Sequence, residues 1–104
     1  MDRIYGILGI AAKAGKVISG FDSIKEGAER KKLNLIILAH DTSDKTKKEM
    51  KFICDKYQIP LVIFGSIEGN SHSIGKRNRA ILGICDSGFS KRFLELLDEE
   101  NKNT

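Results

Sequence analysis

The sequence has little cysteine and no long hydrophobic run, and these two absences exclude several classes of protein. Cys54 and Cys85 are the only cysteines among 104 residues, and they lack the spacing of metal ligands. Both lie in apolar stretches, so we interpret them as reduced core thiols. No apolar run approaches the ~20 residues that a membrane-spanning helix needs. The first residues lead into an amphipathic pattern rather than a signal peptide, and we expect a cytoplasmic protein.

Signals of catalysis are also scarce. The chain has no glycine-rich phosphate loop of the Walker type, and the acidic companions that would hold Mg²⁺ beside Asp41 are not evident. His40 and Asp41 follow a buried strand, where ligands of α/β sheets gather. Capping of the next helix by residues 41–44 is the simpler interpretation, and His72 lies in a polar stretch where we expect it to be exposed. We therefore predict no enzyme, no cofactor and no metal site.

Positive charge is what the sequence does have. Eighteen Lys and Arg residues against fourteen Asp and Glu residues give a net charge of +4 and a pI near 9.1. Residues 1–85 hold fifteen basic and nine acidic residues, whereas residues 86–104 hold three and five. The body of the protein is therefore more basic than its average. A small basic domain of this kind is typical of nucleic-acid binding.

Hydrophobic periodicity predicts helices that alternate with buried strands. Ile4, Ile7, Leu8 and Ala11 have the spacing of one helical face, and residues 33–39 form the continuous apolar run of a strand buried on both sides. Further strands are predicted at 16–18, 61–64 and 80–85. We therefore predict an α/β fold, a three-layer α/β/α sandwich with a mixed sheet of about four strands. Residues 1–98 would form this single domain, and residues 99–104 a fraying polar tail.

One candidate site lies where a glycine turn follows the short strand at 16–18 and a charged amphipathic helix begins. Ser23 and Glu26 have the spacing of a capping box, and Ser19 or Asp22 are alternative N-caps. The same helix start would also offer free N–H groups to a phosphate. Lys13 and Lys16 would supply charge upstream, and the Asp22 carboxylate would accept hydrogen bonds from a guanine edge.

A second candidate site is the basic loop at residues 75–79. Lys76, Arg77 and Arg79 place three cations within four positions. A solvated turn is one explanation. The other is contact with an unstacked base, because the small apolar residues Ala80 and Ile81 follow at once.

Three ordered segments, residues 20–41, 58–62 and 75–84, resemble the ribosomal protein L7Ae family of kink-turn RNA binders. The chain looks closest to the family's small bacterial branch, the YlxQ-type proteins, and the resemblance extends over roughly residues 5–86. It implies the α/β/α fold predicted above. It also implies an RNA surface built from the start of the second helix and the loop before the last strand.

The resemblance can be followed residue by residue. Gly20 matches the glycine that opens the family's Gly-x-Asn-Glu-x-x-Lys signature, whereas Asp22, Ser23 and Glu26 fall at its Asn, Glu and Lys. Residues 75–81 match the second RNA-facing loop. The residues and the resemblance together predict an RNA-binding set of Lys13, Lys16, Ser19, Gly20, Phe21, Asp22, Ser23, Glu26, Arg30, Gly75, Lys76, Arg77, Asn78, Arg79, Ala80 and Ile81.

The leading hypothesis is a non-catalytic, monomeric protein that binds structured, kink-turn-like RNA. Ribosomal RNA and the ribosome are candidate partners, and a membrane is not. The alternative is a protein-interaction or ribosome-associated module of the same fold that has lost kink-turn specificity. The departures at Asp22, Ser23 and Glu26 motivate that alternative. A small enzyme is a distant third interpretation.

Overall fold

Helices and strands alternate along the chain, as the hydrophobic pattern predicts. The structure is a computed structural model that describes residues 2–102, and within that range it contains five helices and four strands. Their bounds are α1 Asp2–Lys13, β1 Val17–Ser19, α2 Phe21–Glu29, β2 Leu35–Leu38, α3 Asp44–Tyr57, β3 Leu61–Ile63, α4 Ile67–Ser73, β4 Ile81–Ile84 and α5 Ser87–Lys102.

The four strands form one mixed sheet in the order β1-β4-β2-β3. Strand β4 is antiparallel to both β1 and β2, and β2 is parallel to β3. In this register Ser19 pairs with Leu82. The end of β1 therefore lies beside the start of β4, which brings residues 19–20 next to residues 81–82 although about sixty positions separate them in sequence.

Two apolar layers lie on opposite faces of the sheet, because successive residues of β2 point in opposite directions. Ile36 and Leu38 pack in a cluster with residues of α2 and α3, including Met50. Leu35 and Ile37 pack in a cluster with residues of α1 and α5. All four β2 residues are buried. The three-layer α/β/α sandwich predicted from the sequence is confirmed.

Two glycines allow α2 to lie very close to the sheet. A Cβ added at Gly83, in the middle of β4, would stand 2.5 Å from Leu33 Cδ2 and 2.6 Å from Ile24 Cδ1. A Cβ added at Gly27, on α2, would stand 2.8 Å from Ile18 Cδ1. Neither position has room for a side chain, so this packing fixes the height of α2 above β1 and β4.

The helix caps agree with the sequence in part. Ser43 caps α3 by accepting the Thr46 N–H, and Ser66 caps α4 by accepting the Gly69 N–H at 2.9 Å. Asp41, however, does not help to cap α3. Its Oδ1 accepts the Ile67 N–H at 2.9 Å, so this carboxylate stabilises the first turn of α4. The fold therefore brings Asp41 to the start of α4, although in sequence Asp41 lies next to α3.

The C-terminal helix continues to Lys102, beyond the predicted domain end at residue 98. Ion pairs join Arg3 to Glu99 at 3.4 Å and Lys102 to Asp98 at 3.1 Å. Residues 103 and 104 of the predicted tail lie outside the described residues, and the division at residue 98 stays a prediction. Within residues 2–102, no helix has both the length and the apolar character to cross a membrane.

Candidate nucleic-acid interface

Helix α2 begins without a side-chain cap. Its N-cap residue is Gly20, with φ 92° and ψ 153°, and no side chain accepts a hydrogen bond from the first turn. The predicted caps, Ser19, Asp22 or the pair Ser23–Glu26, are therefore wrong, because Gly20 takes the N-cap position and residues 22–26 lie inside the helix. The first N–H paired within the helix is that of Ile24, with the Gly20 carbonyl at 3.0 Å. The preceding N–H groups are left for an external acceptor.

The backbone of the basic loop is held by a buried serine. Ser71, in α4, is 2% exposed. Its Oγ accepts the Arg79 N–H at 2.8 Å, and its carbonyl accepts the Lys76 N–H at 2.8 Å. Gly75 and Asn78 adopt positive φ values of 72° and 56°, which turn the chain between these anchors. The loop is thus fixed at both ends, while the side chains of Lys76, Arg77 and Asn78 are exposed.

Arg79 joins this loop to the start of α2. A Cβ added at Gly20 would stand 3.3 Å from Arg79 Nη1, so the guanidinium lies against the N-cap glycine. The Gly20 N–H also donates to the Ile81 carbonyl at 3.1 Å. Arg79 Nε is buried and has no hydrogen-bond partner among the described residues. Residues 19–23 and 76–80 therefore form one surface, which we call the α2–loop surface.

The predicted base-contacting residues differ in exposure. Asp22 and Ser23 are exposed on the α2–loop surface, whereas Ser19, Phe21 and Ala80 are half-buried. Ile81 is only 3% exposed and belongs to the core cluster under α2 and α3. Its predicted packing against a splayed nucleotide is wrong, because the alternation of β4 directs this side chain into the protein.

Three predicted cations lie away from the α2–loop surface. Lys13 ends α1, and Lys16 precedes β1, at the end of that strand opposite to Gly20. The Lys16 carbonyl accepts the Cys85 N–H at 2.8 Å. Arg30 is the C-cap of α2, one helix length from Gly20. The strand β1 therefore lies between Lys16 and the start of α2, and a contribution of Lys13 and Lys16 to the charge there stays a prediction.

A groove runs beside α2 from Ser23 toward these distant cations. Its volume is about 240 Å³, and its lining residues are Ile18, Ser23, Glu26, Gly27, Arg30 and Lys32. Within it Glu26 Oε1 and Arg30 Nη2 form an ion pair at 3.2 Å between exposed side chains. An exposed pair of this kind is worth only about 0.3–0.5 kcal/mol, so an anionic ligand can compete for Arg30.

Comparison with known proteins supports this architecture. Residues 2–94 match the model of the ribosomal protein L7Ae/L30e/S12e/Gadd45 family. The chain belongs to this family. It is similar to the RNA-binding protein YlxQ of Bacillus subtilis, with 32% identity over 90% of this chain and 94% of the relative. It is also similar to the RNA-binding protein YlxQ of Enterococcus faecium, with 33% identity over 92% of each chain.

Two solved structures share the fold of this L7Ae-family chain. A protein of unknown function from Bacillus halodurans superposes with a TM-score of 0.89 and 31% identity, covering 94% of this chain and 99% of the other. The Giardia lamblia 15.5kD RNA binding protein superposes with a TM-score of 0.74 and 16% identity, covering 91% and 82%. At 16% identity the second likeness concerns the fold alone.

The residues that could suggest a catalytic role make contacts that stabilise the fold. Asp41 and His72 line a cleft of about 720 Å³ beside the basic loop. The Asp41 carboxylate holds the first turn of α4, and the His40 carbonyl accepts a hydrogen bond from Lys47 Nζ at 3.0 Å. Within residues 2–102, no group of three or more His, Cys, Asp or Glu side chains is arranged to hold a metal ion. His72 is exposed, as expected.

Sequence reasoning missed two residues of this region. Ser71 is a buried polar residue in a short helix, and nothing in its sequence neighbourhood indicates that it anchors the basic loop. Lys32 does carry a signal, since it ends the basic run of residues 30–32, but only the fold places it at the groove.

Proposed function

We propose that this L7Ae-family chain is a non-catalytic RNA-binding protein that recognises structured RNA with a kink-turn-like bend. The observation that carries the proposal is the Arg79 guanidinium against the uncapped start of α2. The positive charge of this guanidinium lies beside the free N–H groups of the first turn, and together they favour a ligand rich in acceptor oxygens.

The chemistry of the α2–loop surface suits RNA. Free N–H groups and the positive end of the α2 dipole attract phosphate, and Lys76 and Arg77 add exposed positive charge beside them. Asp22 is acceptor-only, which suits the N–H donors of a base edge. Ser23 offers both a donor and an acceptor. Such a mixture of phosphate and base-edge contacts favours unpaired or non-canonically paired nucleotides over a regular duplex.

The relatives' names support the same class of ligand. Two relatives at 32% and 33% identity are named RNA-binding proteins. Ribosomal RNA as the ligand, association with the ribosome, a monomeric state and a cytoplasmic location belong to this proposal. The protein would act by stabilising one member of the RNA's conformational ensemble, which is a population shift.

A titration tests the claim of shape recognition. A kink-turn RNA and an unbent duplex of equal length are titrated against the protein at the same salt concentration. We expect tighter binding to the kink-turn RNA and a falling affinity for both RNAs as salt rises. Equal affinity for the two RNAs would contradict recognition of the bend.

A second candidate function is a protein-interaction or ribosome-associated module of the same fold. Glu26 favours it, because this position carries lysine in the family signature and here holds a carboxylate paired with Arg30. The double variant Arg77→Glu/Arg79→Glu separates the two candidates. Lys51→Glu/Lys91→Glu is a control with the same change of charge. If neither double variant changes the amount of RNA recovered with the protein from lysate, the interaction module is favoured.

A further inference from the structure

We propose that RNA held at the α2–loop surface continues along the groove beside α2 and places backbone phosphates on a second basic cluster, formed by Lys16, Arg30 and Lys32. This inference rests on the proposed function and extends it. It assigns a separate phosphate-binding site to a flanking segment of the same RNA, at the opposite end of α2 and β1.

The members of the second basic cluster meet at one edge of the fold. Lys32 is held by its backbone N–H, which donates to the Gly27 carbonyl at 2.9 Å, and Lys16 is joined to Cys85 by the backbone hydrogen bond described above. Burial raises the pKa of the Cys85 thiol, and the charges of Lys32 and Lys16 act in the opposite direction. Both ammonium groups therefore lie near one thiol although they belong to different segments of the chain.

This cluster carries positive charge that the protein does not neutralise. Among the described residues neither Lys16 nor Lys32 has an acidic partner within ion-pair distance, and Arg30 is held only by the exposed pair with Glu26. Like charges gathered at one place repel one another, and a bound polyanion relieves that repulsion while releasing its counterions.

The groove supplies a continuous path between the two sites. Ser23, at its one end, belongs to the α2–loop surface, and Arg30 and Lys32 lie at the other. A nine-residue helix at 1.5 Å per residue makes the path about 13 Å long. A path of this length spans only a few nucleotides of an RNA strand. The second cluster thus fits a short flanking stem rather than a distant RNA domain.

A pair of charge variants tests this path. Lys16→Gln/Lys32→Gln removes two cations from the cluster, and Lys48→Gln/Lys51→Gln removes two exposed cations from α3 as the matched control. With a kink-turn RNA that keeps both flanking stems, we expect the first variant to lower the slope of log affinity against log salt by about two and the control to leave it unchanged. Equal slopes for the two variants would overturn the inference.

The same variants are compared on RNAs in which one stem at a time is cut back to its closing base pairs. Removal of the stem that contacts the second basic cluster should abolish the difference in the salt dependence of RNA affinity between wild type and Lys16→Gln/Lys32→Gln. A difference that persists with both shortened RNAs would contradict a stem contact. If instead Arg77→Glu/Arg79→Glu has no effect while the cluster variant abolishes binding, the proposed function of the α2–loop surface fails and the cluster remains.

Cys85 provides a direct probe of occupancy. Its thiol is half-buried beside Lys16 and Lys32, whereas Cys54 is buried in the core. RNA bound at the cluster should slow alkylation of Cys85 severalfold, followed by mass spectrometry of the modified peptide, and should leave Cys54 unaffected. The RNA lacking the relevant stem should give no protection. Unchanged Cys85 alkylation at saturating full-length RNA would overturn the inference.

Discussion

Gly20 combines a backbone conformation that favours glycine with a close contact to Arg79. Its φ of 92° with ψ 153° lies in a region that is essentially restricted to glycine. Its missing side chain leaves the space that Arg79 Nη1 approaches. One residue therefore sets both the entry of the chain into α2 and the place of the guanidinium.

The variant Gly20→Ala tests this double role. We expect a cost of about 1–3 kcal/mol in the free energy of unfolding from backbone strain, together with weaker RNA binding because the methyl group pushes the Arg79 guanidinium slightly away from the start of α2. The control is Gly15→Ala, where φ is 73° and no atom lies near the added Cβ. The control should be destabilised without losing RNA affinity. Equal affinities of the two folded variants would contradict the role of the Gly20–Arg79 contact.

Glu26 places a carboxylate in the groove along which we propose that RNA runs. The variant Glu26→Lys removes a carboxylate from the groove, adds a cation and frees Arg30. We expect tighter RNA binding, and a salt dependence of the affinity that is steeper by the equivalent of about one to two phosphate contacts. Glu29→Lys makes the same charge change on an exposed α2 residue that does not line the groove. Both variants are titrated with RNA at several salt concentrations. An equal gain in affinity would show that the effect comes from net charge and not from the position of Glu26 in the groove.

At the scale of elements, α4 and the basic loop depend on Ser71. In Ser71→Ala the Arg79 N–H loses its acceptor, and a buried unpaired donor costs about 1–3 kcal/mol. We expect lower stability in urea unfolding and weaker RNA binding, because the loop that carries Arg77 and Arg79 loses its anchor. Ser66→Ala, which removes the α4 cap at the other end of the helix, should cost about 1 kcal/mol and leave RNA affinity unchanged. Wild-type affinity of Ser71→Ala would show that the anchor is not needed.

The elements themselves follow from the sequence because their signals are local. The continuous apolar run around residues 35–38 marks a strand buried on both faces, and the spacing from Ile4 to Ala11 marks the inner face of α1. The predicted sandwich is confirmed for these reasons. Capping was less predictable. Ser19, Asp22 and Ser23 all have suitable side chains, yet β4 pairs with β1 and takes the Gly20 N–H, which fixes the turn on glycine instead.

The sequence predicted the two segments that form the candidate site, but it did not predict which residues near them lie on the same surface. The two segments with Gly20 and Arg79 do meet, as the resemblance implies. Lys16 is close to Gly20 in sequence, but β1 runs between them and places Lys16 at the other end of the strand. Ile81 was misplaced because it is the first residue of β4 and its side chain packs in the core cluster under α2 and α3. The position of a residue relative to a distant segment depends on how the strands pair, and this pairing cannot be read from one segment of the sequence alone.

At the scale of the whole molecule, the buried Cys54 makes stability depend on pH. Burial, with a smaller contribution from Asp55, raises the Cys54 pKa from 9.0 to about 11. The unfolded thiol thus ionises at lower pH than the folded one, so the unfolded state gains relative stability as pH rises. This contribution is complete below pH 9 and is lost between about pH 9 and 11.

Thermal unfolding across that range measures the effect. We expect Tm to fall between pH 9 and 11, and Cys54→Ala to show a shallower fall in the same interval although its Tm at neutral pH is lower. Lysine and tyrosine titrations are common to both proteins and cancel in the comparison. Parallel Tm curves would show that the Cys54 thiol is not linked to folding.

The strand order β1-β4-β2-β3 has a consequence for a chain still under synthesis. Strand β1 is at the edge of the sheet and has β4 as its neighbour, yet β4 is the last strand to be made. A nascent chain that has emerged only as far as α3 contains Gly20 and α2 but neither Arg79 nor the strand that orders β1. The α2–loop surface therefore closes late in translation, and an unfinished chain would lack the surface that we propose for RNA.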